Sequence, residues 1–364
     1  MNNKNTKVAV GLSGGVDSSV AAALLKDKGY DVIGVAMEIF DGSVAVKGAE
    51  KHACYGPDEK EDIDSAASVC KNLGIPFHVI DLKKEFGEHV LAYFRDEYLK
   101  GRTPNPCVVC NQRLKFGFLL EKAKKAGVDF DLFATGHYAR IVESNGRFLI
   151  KRPADLSKDQ TYFLYALTSD QRSRILFPLG EYHKKQVRDI ARSFGLVTSD
   201  RPESQDFISG GDYTPLFERG EVKEGDIVDE KGEVLGRHRG IVHYTIGQRR
   251  GLGLSSPRPL YVIRIDAEKN RLVVSDREAL FSKGFIAKDL NLISIDQLDG
   301  SHNVKVKIRL RHEGADAKIF PYKNNKAKIL FDEPQMSVTP GQSAVFYTGE
   351  TVLGGGIIER EYHL

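Results

Sequence analysis

The chain of 364 residues carries 41% hydrophobic and 28% charged residues with a formal net charge of +3. That composition excludes a disordered or collagenous chain and leaves room for two or three domains at roughly 150 residues each. The weak positive charge permits an RNA partner without arguing for one, because a local patch matters more than the sum. Four cysteines in this length make no disulfide framework. The start is polar, without the apolar core of a signal peptide, and no apolar run reaches membrane-spanning length. The expectation is therefore a protein of the reducing cytoplasm with no membrane partner.

Taken in order, Val8, Ala9 and Val10 predict a short buried strand, Gly11 to Gly15 a loop, and Asp17 to Lys28 a helix ending near Gly29. A glycine-rich turn between strand and helix brings backbone N–H groups and a helix N-terminus towards an anion. The Walker A lysine pattern is missing. Ser13-Gly-Gly-Val-Asp-Ser18 instead resembles the PP-loop of ATP pyrophosphatases, which cleave ATP between the α and β phosphates. That resemblance implies ATP contacts at Gly11, Leu12, Ser13, Gly14, Gly15, Val16, Asp17 and Ser18, with Asp17 helping to place Mg²⁺. A turn that only closes a βα unit is the alternative.

Asp31 to Met37 predicts a second strand. Met37 falls at its C-terminal end, the edge that lines the nucleotide crevice of open parallel sheets, so it is either an adenine neighbour or a core methionine. A loop over 41–58, a helix from about Glu59 to Leu73, a strand at Phe77 to Ile80 and a charged helix from about Lys83 to Leu99 follow. This alternation predicts a doubly wound α/β domain with a parallel sheet.

The segment Gly101-Arg-Thr-Pro-Asn-Pro-Cys-Val-Val-Cys-Asn-Gln-Arg-Leu-Lys-Phe-Gly117 interrupts the alternation. Its prolines keep it extended before Cys107. A helix starting near Cys110 or Asn111 would place Cys110 at a helix N-terminus, where a thiol pKa falls. In the strand and loop Leu132 to Arg140, Gly136 is positioned for close approach to a nucleotide. His137 faces a phosphate or substrate, or else is a hydrogen-bonded structural histidine. A hairpin around Asn145-Gly146, a polar cluster Lys158-Asp159-Gln160 and a helix over 183–195 complete this part.

Beyond about residue 205, glycine, charge and short strands dominate. Val304 to Arg311 alternates apolar and basic residues. It predicts a strand presenting Lys305, Lys307, Arg309 and Arg311 on one face, as a phosphate-binding stripe or a solvated one. Ala327 to Phe331 and Ser343 to Tyr347 suggest a small β-barrel. The expected domains are 1–205, 206–282 and 283–364.

The glycine loop, the Gly101 to Gly117 segment, Ala134-Thr-Gly-His-Tyr-Ala-Arg140, Lys158-Asp-Gln160 and His243-Tyr-Thr-Ile-Gly-Gln248 occur in that order. Together they resemble the tRNA-specific 2-thiouridylases over nearly the whole chain. The resemblance implies a PP-loop domain, a small central domain and a C-terminal β-barrel, with tRNA of the Lys, Glu and Gln type as substrate. It implies that ATP adenylates the C2 oxygen of the wobble uridine, U34, before sulfur attacks. Asn105, Pro106 and Cys107 would contact the target base, and Lys158, Asp159, Gln160, Arg309 and Leu310 the tRNA. Sulfur would come from a cysteine desulfurase, a relay protein or inorganic sulfide.

The chain departs from that family at the sulfur centre. The usual Asn-Pro-Asp-x-x-Cys reads Asn105-Pro-Cys-Val-Val-Cys110, and the later cysteine is replaced near Asp206. Cys110 keeps the position of the first catalytic cysteine. Three readings of Cys107 and Cys110 stand. One is a [4Fe–4S] cluster held with Asp206, as related tRNA thiolases hold clusters. The second is a local persulfide and disulfide relay, and the third is half of a zinc site. Asp206 is a ligand or an acid/base. Cys70 reads as buried and inert, and Cys54 as a loop cysteine that could add a ligand. The rival functions are a PP-loop ligase or amidotransferase on a small metabolite, and a non-catalytic tRNA-binding homologue.

Overall fold

The computed structural model describes residues 5–44, 53–199, 206–208, 213–218 and 220–361, with the backbone alone at Asp206. The chain forms two compact units, one of Met1–Val90, Cys107–Asp212 and Glu350–Val352, the other of Leu91–Pro106, Tyr213–Gly349 and Leu353–Leu364. The second unit therefore takes a stretch, Leu91–Pro106, that lies inside the continuous 1–205 domain expected from sequence.

In the first unit, β1 (Lys7–Gly11), β2 (Asp31–Glu38), β4 (Phe77–Asp81), β5 (Leu132–Thr135) and β8 (Ile175–Leu176) form one parallel sheet in the order β4-β2-β1-β5-β8. Val8, Ala9 and Val10 of β1 are fully buried, as expected of a central parallel strand covered on both faces. Helix α1 (Val16–Asp27) buries the run from Val16 to Leu25 apart from Asp17. The amphipathic α2 (Glu59–Leu73) ends on Gly74 in the left-handed conformation. Helix α3 (Lys83–Phe86) passes through a π-helical turn, Gly87–Leu91, into α4 (Ala92–Leu99).

Next come α5 (Pro106–Val109), a nine-residue π-helical stretch Cys110–Phe118, and α6 (Leu119–Lys125). The helix thus starts four residues before Cys110, because Pro106 with its fixed φ suits a first helical position. The hairpin of β6 (Arg140–Ser144) and β7 (Arg147–Lys151) turns on Asn145 and Gly146, both at positive φ, the two-residue turn that matches strand twist. Helices α7 (Ser169–Ser173) and α8 (Lys184–Ser193) follow. The three-residue strands β3 (Ala53–Tyr55) and β9 (Asp206–Ile208) pair in parallel, Ala53 opposite Asp206.

In the second unit, β10 (Gly225–Val228), β11 (Val234–His238), β12 (Tyr261–Asp266) and β13 (Arg271–Ser275) form a sheet in the order β11-β10-β13-β12. Tyr98 and Leu99 pack on its core of Ile227, Val262, Leu272 and Val274, which is why α4 counts with this unit. The remaining strands are β14 (Phe281–Leu292), β15 (His302–Lys307), β16 (Ala315–Tyr322), β17 (Lys326–Met336), β18 (Ser343–Thr348) and β19 (Thr351–Glu361). They run in the order β14-β17-β16-β15-β18-β19, and β14 pairs with β19 to close a barrel without open edges. The expected strand 304–311 ends at Lys307. Lys307 and Ile308 are both buried, so the alternation fails there and Lys307 leaves the basic stripe.

Candidate active site

The sheet order fixes the first part of the site. β1 is flanked by β2 on one side and β5 on the other, so the crevice at the strand ends opens beside Gly11 and Thr135. Gly14 has φ +70, which favours glycine. Gly15 is the extended N-cap of α1, with no side chain capping the helix. The first turn therefore presents backbone N–H groups without a carboxylate or hydroxyl cap, as an anion site requires. The hydroxyls brace the loop: Ser13 N donates to Ser18 Oγ at 3.2 Å, and Ser19 Oγ donates to Gly15 O at 2.8 Å. Ser65 Oγ, from α2, donates to Gly14 O at 3.2 Å.

Asp17 is the hub. Its Oδ1 accepts from Tyr138 Oη at 2.9 Å, and Lys184 Nζ donates to its two oxygens at 2.7 and 2.8 Å. A Cβ on Gly136 would stand 2.6 Å from Asp17 C and Ser18 N. The close approach expected at Gly136 is thus made to the first turn of α1, which leaves no space for any other residue. Lys184 escaped the sequence reading. Its signal was present in Lys184-Lys185 at the first turn of a helix, where the dipole disfavours cations, so an anionic partner was called for. Met37 is half-buried next to the end of β2 and pairs with Ile80. The backbone just after it is held by Glu59, whose carboxylate accepts from Ile39 N at 2.8 Å and Phe40 N at 3.0 Å. Burial raises the Glu59 pKa.

The second part is a thiol site. Cys107 and Cys110, three residues apart, fall one helical turn from each other. Cys110 is not at a helix N-terminus, and its thiol is pushed up to about 11 by burial, with Lys115 acting in the opposite direction. This reverses the lowered pKa expected from sequence. Cys110 keeps partial solvent access, yet protein atoms crowd it densely enough for desolvation to dominate. The Lys115 ammonium feels Cys110, Cys54 and Cys107, and its pKa is raised by them despite burial.

The backbone explains this grouping. Five residues of α-helix turn through about 500°, which would carry Lys115 about 140° away from Cys110. In the π-helical stretch Cys110–Phe118, bonds run from i to i+5, so Lys115 stands roughly one turn above Cys110. Gln171 Nε2 donates to Gln112 O and Phe116 O, both at 2.8 Å, and fixes the widened turns.

His137 sits between Phe116 and Phe177 with its Nδ1 2.7 Å from Thr135 Oγ1. Burial first, and Lys115 second, lower its pKa to about 3. It is a neutral, hydrogen-bonded imidazole and no cation for a phosphate. Cys70 is buried and its thiol is pushed up to about 12, as an inert core cysteine should be.

Other expected RNA contacts turn inward. Asp159 is buried, and its carboxylate accepts from Arg152 Nε at 2.8 Å, Thr161 N at 3.0 Å and Thr161 Oγ1 at 2.6 Å. Gln160 Oε1 accepts from Tyr138 N at 2.8 Å. Both residues build the turn that carries Tyr138 to Asp17. Lys158 remains half-buried on a 3₁₀ turn. In the second unit, Asn105 is buried with its N–H donating to Tyr93 Oη at 3.3 Å, and Pro106 opens α5. Arg309 Nη1 donates to Met336 O at 3.1 Å, while Leu310 is exposed.

The residues fit ATP: an open helix N-terminus, a lysine and a carboxylate oxygen suited to Mg²⁺ converge on one loop. Among the described residues no three His, Cys, Asp or Glu side chains gather closely enough to share a metal ion. Cys107 and Cys110 supply two thiols, and the side chain of Asp206 lies outside the described residues. No helix among the described residues is long and apolar enough to cross a membrane.

A parallel sheet with a glycine loop at its switch point defines a nucleotide-handling α/β domain, here carried with two β-rich parts. Residues 6–209 match the family described as tRNA methyl transferase HUP domain, residues 215–276 its PRC-barrel domain, and residues 282–358 the aminomethyltransferase beta-barrel domain. The tRNA-specific 2-thiouridylase MnmA of Acetivibrio thermocellus is 48% identical over 97% of this chain and 99% of its own length. Those of Carboxydothermus hydrogenoformans and Clostridium tetani are 46% and 47% identical, each over 97% of this chain and over 98% and 96% of their own lengths. The chain belongs to the tRNA-specific 2-thiouridylase family.

Proposed function

We propose that this protein is an ATP-dependent tRNA sulfurtransferase that replaces the C2 oxygen of the wobble uridine, U34, in tRNAs of the Lys, Glu and Gln type. The observation that carries the reading is a family match along the whole chain, joined to an ATP-type loop and a thiol pair within one compact unit. A uracil C2 oxygen is a very poor leaving group. Transfer of AMP from ATP to that oxygen turns it into a good one and releases pyrophosphate. The N–H groups at the start of α1 and the Lys184 ammonium hold the polyphosphate and stabilise the charge that builds on it. Asp17 would hold Mg²⁺, which would supply neutralisation of phosphate charge. As polyphosphate approaches, Lys184 passes from the Asp17 carboxylate to phosphate and frees that carboxylate for the metal. The base leaves the anticodon stack to reach the site, with Asn105 to Cys107 against it and Lys158 and Arg309 toward the RNA backbone. In a reducing cytoplasm, a persulfide-bearing protein hands its outer sulfur to the thiol site by exchange, releasing its own thiol, or sulfide attacks C2 directly.

The test is AMP and 2-thiouridine formation with the cognate tRNA. AMP formed equally well without tRNA points to a small-metabolite ligase, and tRNA binding without AMP to a non-catalytic homologue. A [4Fe–4S] cluster held by Cys107, Cys110 and Asp206 is the second reading, favoured by the two thiols one turn apart. Iron and acid-labile sulfide after anaerobic purification, lost in Cys107→Ala and Cys110→Ala, would establish it.

A further inference from the structure

The segment that carries Asn105 cannot hold itself. Pro104 and Pro106 flank Asn105, and proline keeps the backbone extended and offers no N–H. Its polar groups are met instead from two other parts of the same compact unit. In the turn before β18, Pro340 O accepts from Thr103 N at 2.9 Å, and Gln342 Nε2 donates to Thr103 O at 3.2 Å and to Pro104 O at 2.9 Å. On α4, Glu97 O accepts from Arg102 N at 2.9 Å, and the Glu97 carboxylate pairs with the Arg102 guanidinium. Tyr93 stands four residues before Glu97, on the same face of that helix. Its hydroxyl oxygen accepts from Asn105 N at 3.3 Å. Helix α4 is itself anchored: Phe94 is buried, with its ring centroid 4.9 Å from that of Tyr98 and 5.0 Å from that of Tyr213. Asn105 is 8% exposed, and its carboxamide has no hydrogen-bond partner among the described residues. A buried amide without a partner leaves its donors and its acceptor for a ligand.

We infer that Tyr93 is a positioning residue for the target base: its hydroxyl fixes the Asn105 backbone and thereby the direction in which the Asn105 carboxamide meets uracil. The inference rests on the reading above that Asn105 lies against the base. A carboxamide matches the arriving uracil by donating through Nδ2 to O4 and accepting at Oδ1 from N3–H. The pairing is directional, so a small rotation at the Asn105 backbone spoils both bonds at once. The Asn105 N–H is the single backbone donor of Pro104-Asn105-Pro106. Without the Tyr93 oxygen it loses the acceptor that sets its direction. Pro340 and Gln342 still hold Thr103 and Pro104 in that case, so the segment keeps its place while Asn105 loses its aim.

The experiment compares full-length wild type, Tyr93→Phe, Asn105→Ala and the double variant in single turnovers with ATP, Mg²⁺ and cognate tRNA transcript. Tyr93→Phe removes one oxygen and is expected to slow AMP formation about 10-fold, as for one lost hydrogen bond, with the tRNA Kd unchanged. Asn105→Ala should slow it about 30-fold, as for a lost bidentate base contact. The double variant should be no slower than Asn105→Ala alone, because Tyr93 acts only through that carboxamide, whereas a general effect on folding would multiply the two losses. Hydrogen exchange supplies a local readout: the Asn105 amide should exchange about 10-fold faster in Tyr93→Phe, while the amides of β13 keep their protection. A wild-type rate in Tyr93→Phe, or a multiplied loss in the double variant, overturns the inference while tRNA-dependent AMP release by the wild type still upholds thiolation. A wild-type rate in Asn105→Ala removes the base contact and the inference together. Wild-type protein that releases no AMP with tRNA overturns the thiolation reading as well.

Discussion

The two halves of the candidate site use one lysine each and use it in opposite ways. Lys184 lies on a carboxylate, 2.7 Å from Asp17 Oδ1, in the ion pair that the proposed mechanism exchanges for polyphosphate. Lys115 lies beside the Cys110 thiol, which burial pushes up to about 11, so its charge is expressed only when a thiolate or a sulfur anion forms there. The first arrangement recognises a charge that arrives with the substrate. The second waits for charge that chemistry creates, the more effective use of a fixed cation in catalysis because it favours the later state over the ground state.

Breaking the first half has the largest expected effect. Lys184→Met and Asp17→Asn should each lower tRNA-dependent AMP formation by about 10³-fold, as for loss of a charged transition-state partner. Gly136→Ala should act in the same direction, because its Cβ displaces the Asp17–Ser18 backbone. AMP measured by chromatography decides all three. Next is Lys115→Met, expected to lower thiolation by about 10²-fold, in the range of one lost catalytic group.

The same variant sharpens the contrast through pH. Burial pushes the Cys110 thiol up to about 11, above the ordinary thiol, so its alkylation should accelerate up to that pH. Removing Lys115, which favours the thiolate, should move the midpoint higher still. The linkage has the matching sign. The folded state holds the Cys110 proton longer than the unfolded chain, so this group's contribution to stability is complete below the ordinary thiol pKa and is lost as pH rises towards 11. A midpoint at or below 8.5 in site-resolved alkylation would refute the desolvated thiol.

The smallest direct effect on chemistry belongs to Asp159→Ala. It removes the carboxylate that accepts from Arg152 Nε and from Thr161 N and Oγ1, at a cost of about 3 kcal/mol for a broken, largely buried ion pair. Calorimetry should show a lower melting temperature, whereas a residue acting only on tRNA would leave the melting curve in place.

Much of the frame was legible in the sequence because local rules and tertiary packing agree there. Val8 to Val10, the glycine loop, the helix ending at Gly74 and the Asn145-Gly146 turn each follow from burial, positive φ or capping. The thiol site was harder to read for identifiable reasons. Pro106 starts a helix that two prolines seemed to forbid, and this removes Cys110 from a helix end. The Cys110–Lys115 proximity depends on a backbone hydrogen-bond pattern that α-helical spacing does not anticipate. Asp159 and Gln160 look like a solvated cap by composition, and only the Tyr138 turn shows that they face inward. The basic stripe failed at Lys307, where Val306, Lys307 and Ile308 are buried in succession.

The widened helix over Cys110–Phe118 has a consequence for anyone redesigning this protein. A helix-strengthening change such as Gly117→Ala favours the tighter coil. It would swing the ammonium around the axis away from the sulfur. Regularity and reactivity pull against each other along these nine residues, so a thermostabilised variant gained here is expected to be the slower enzyme.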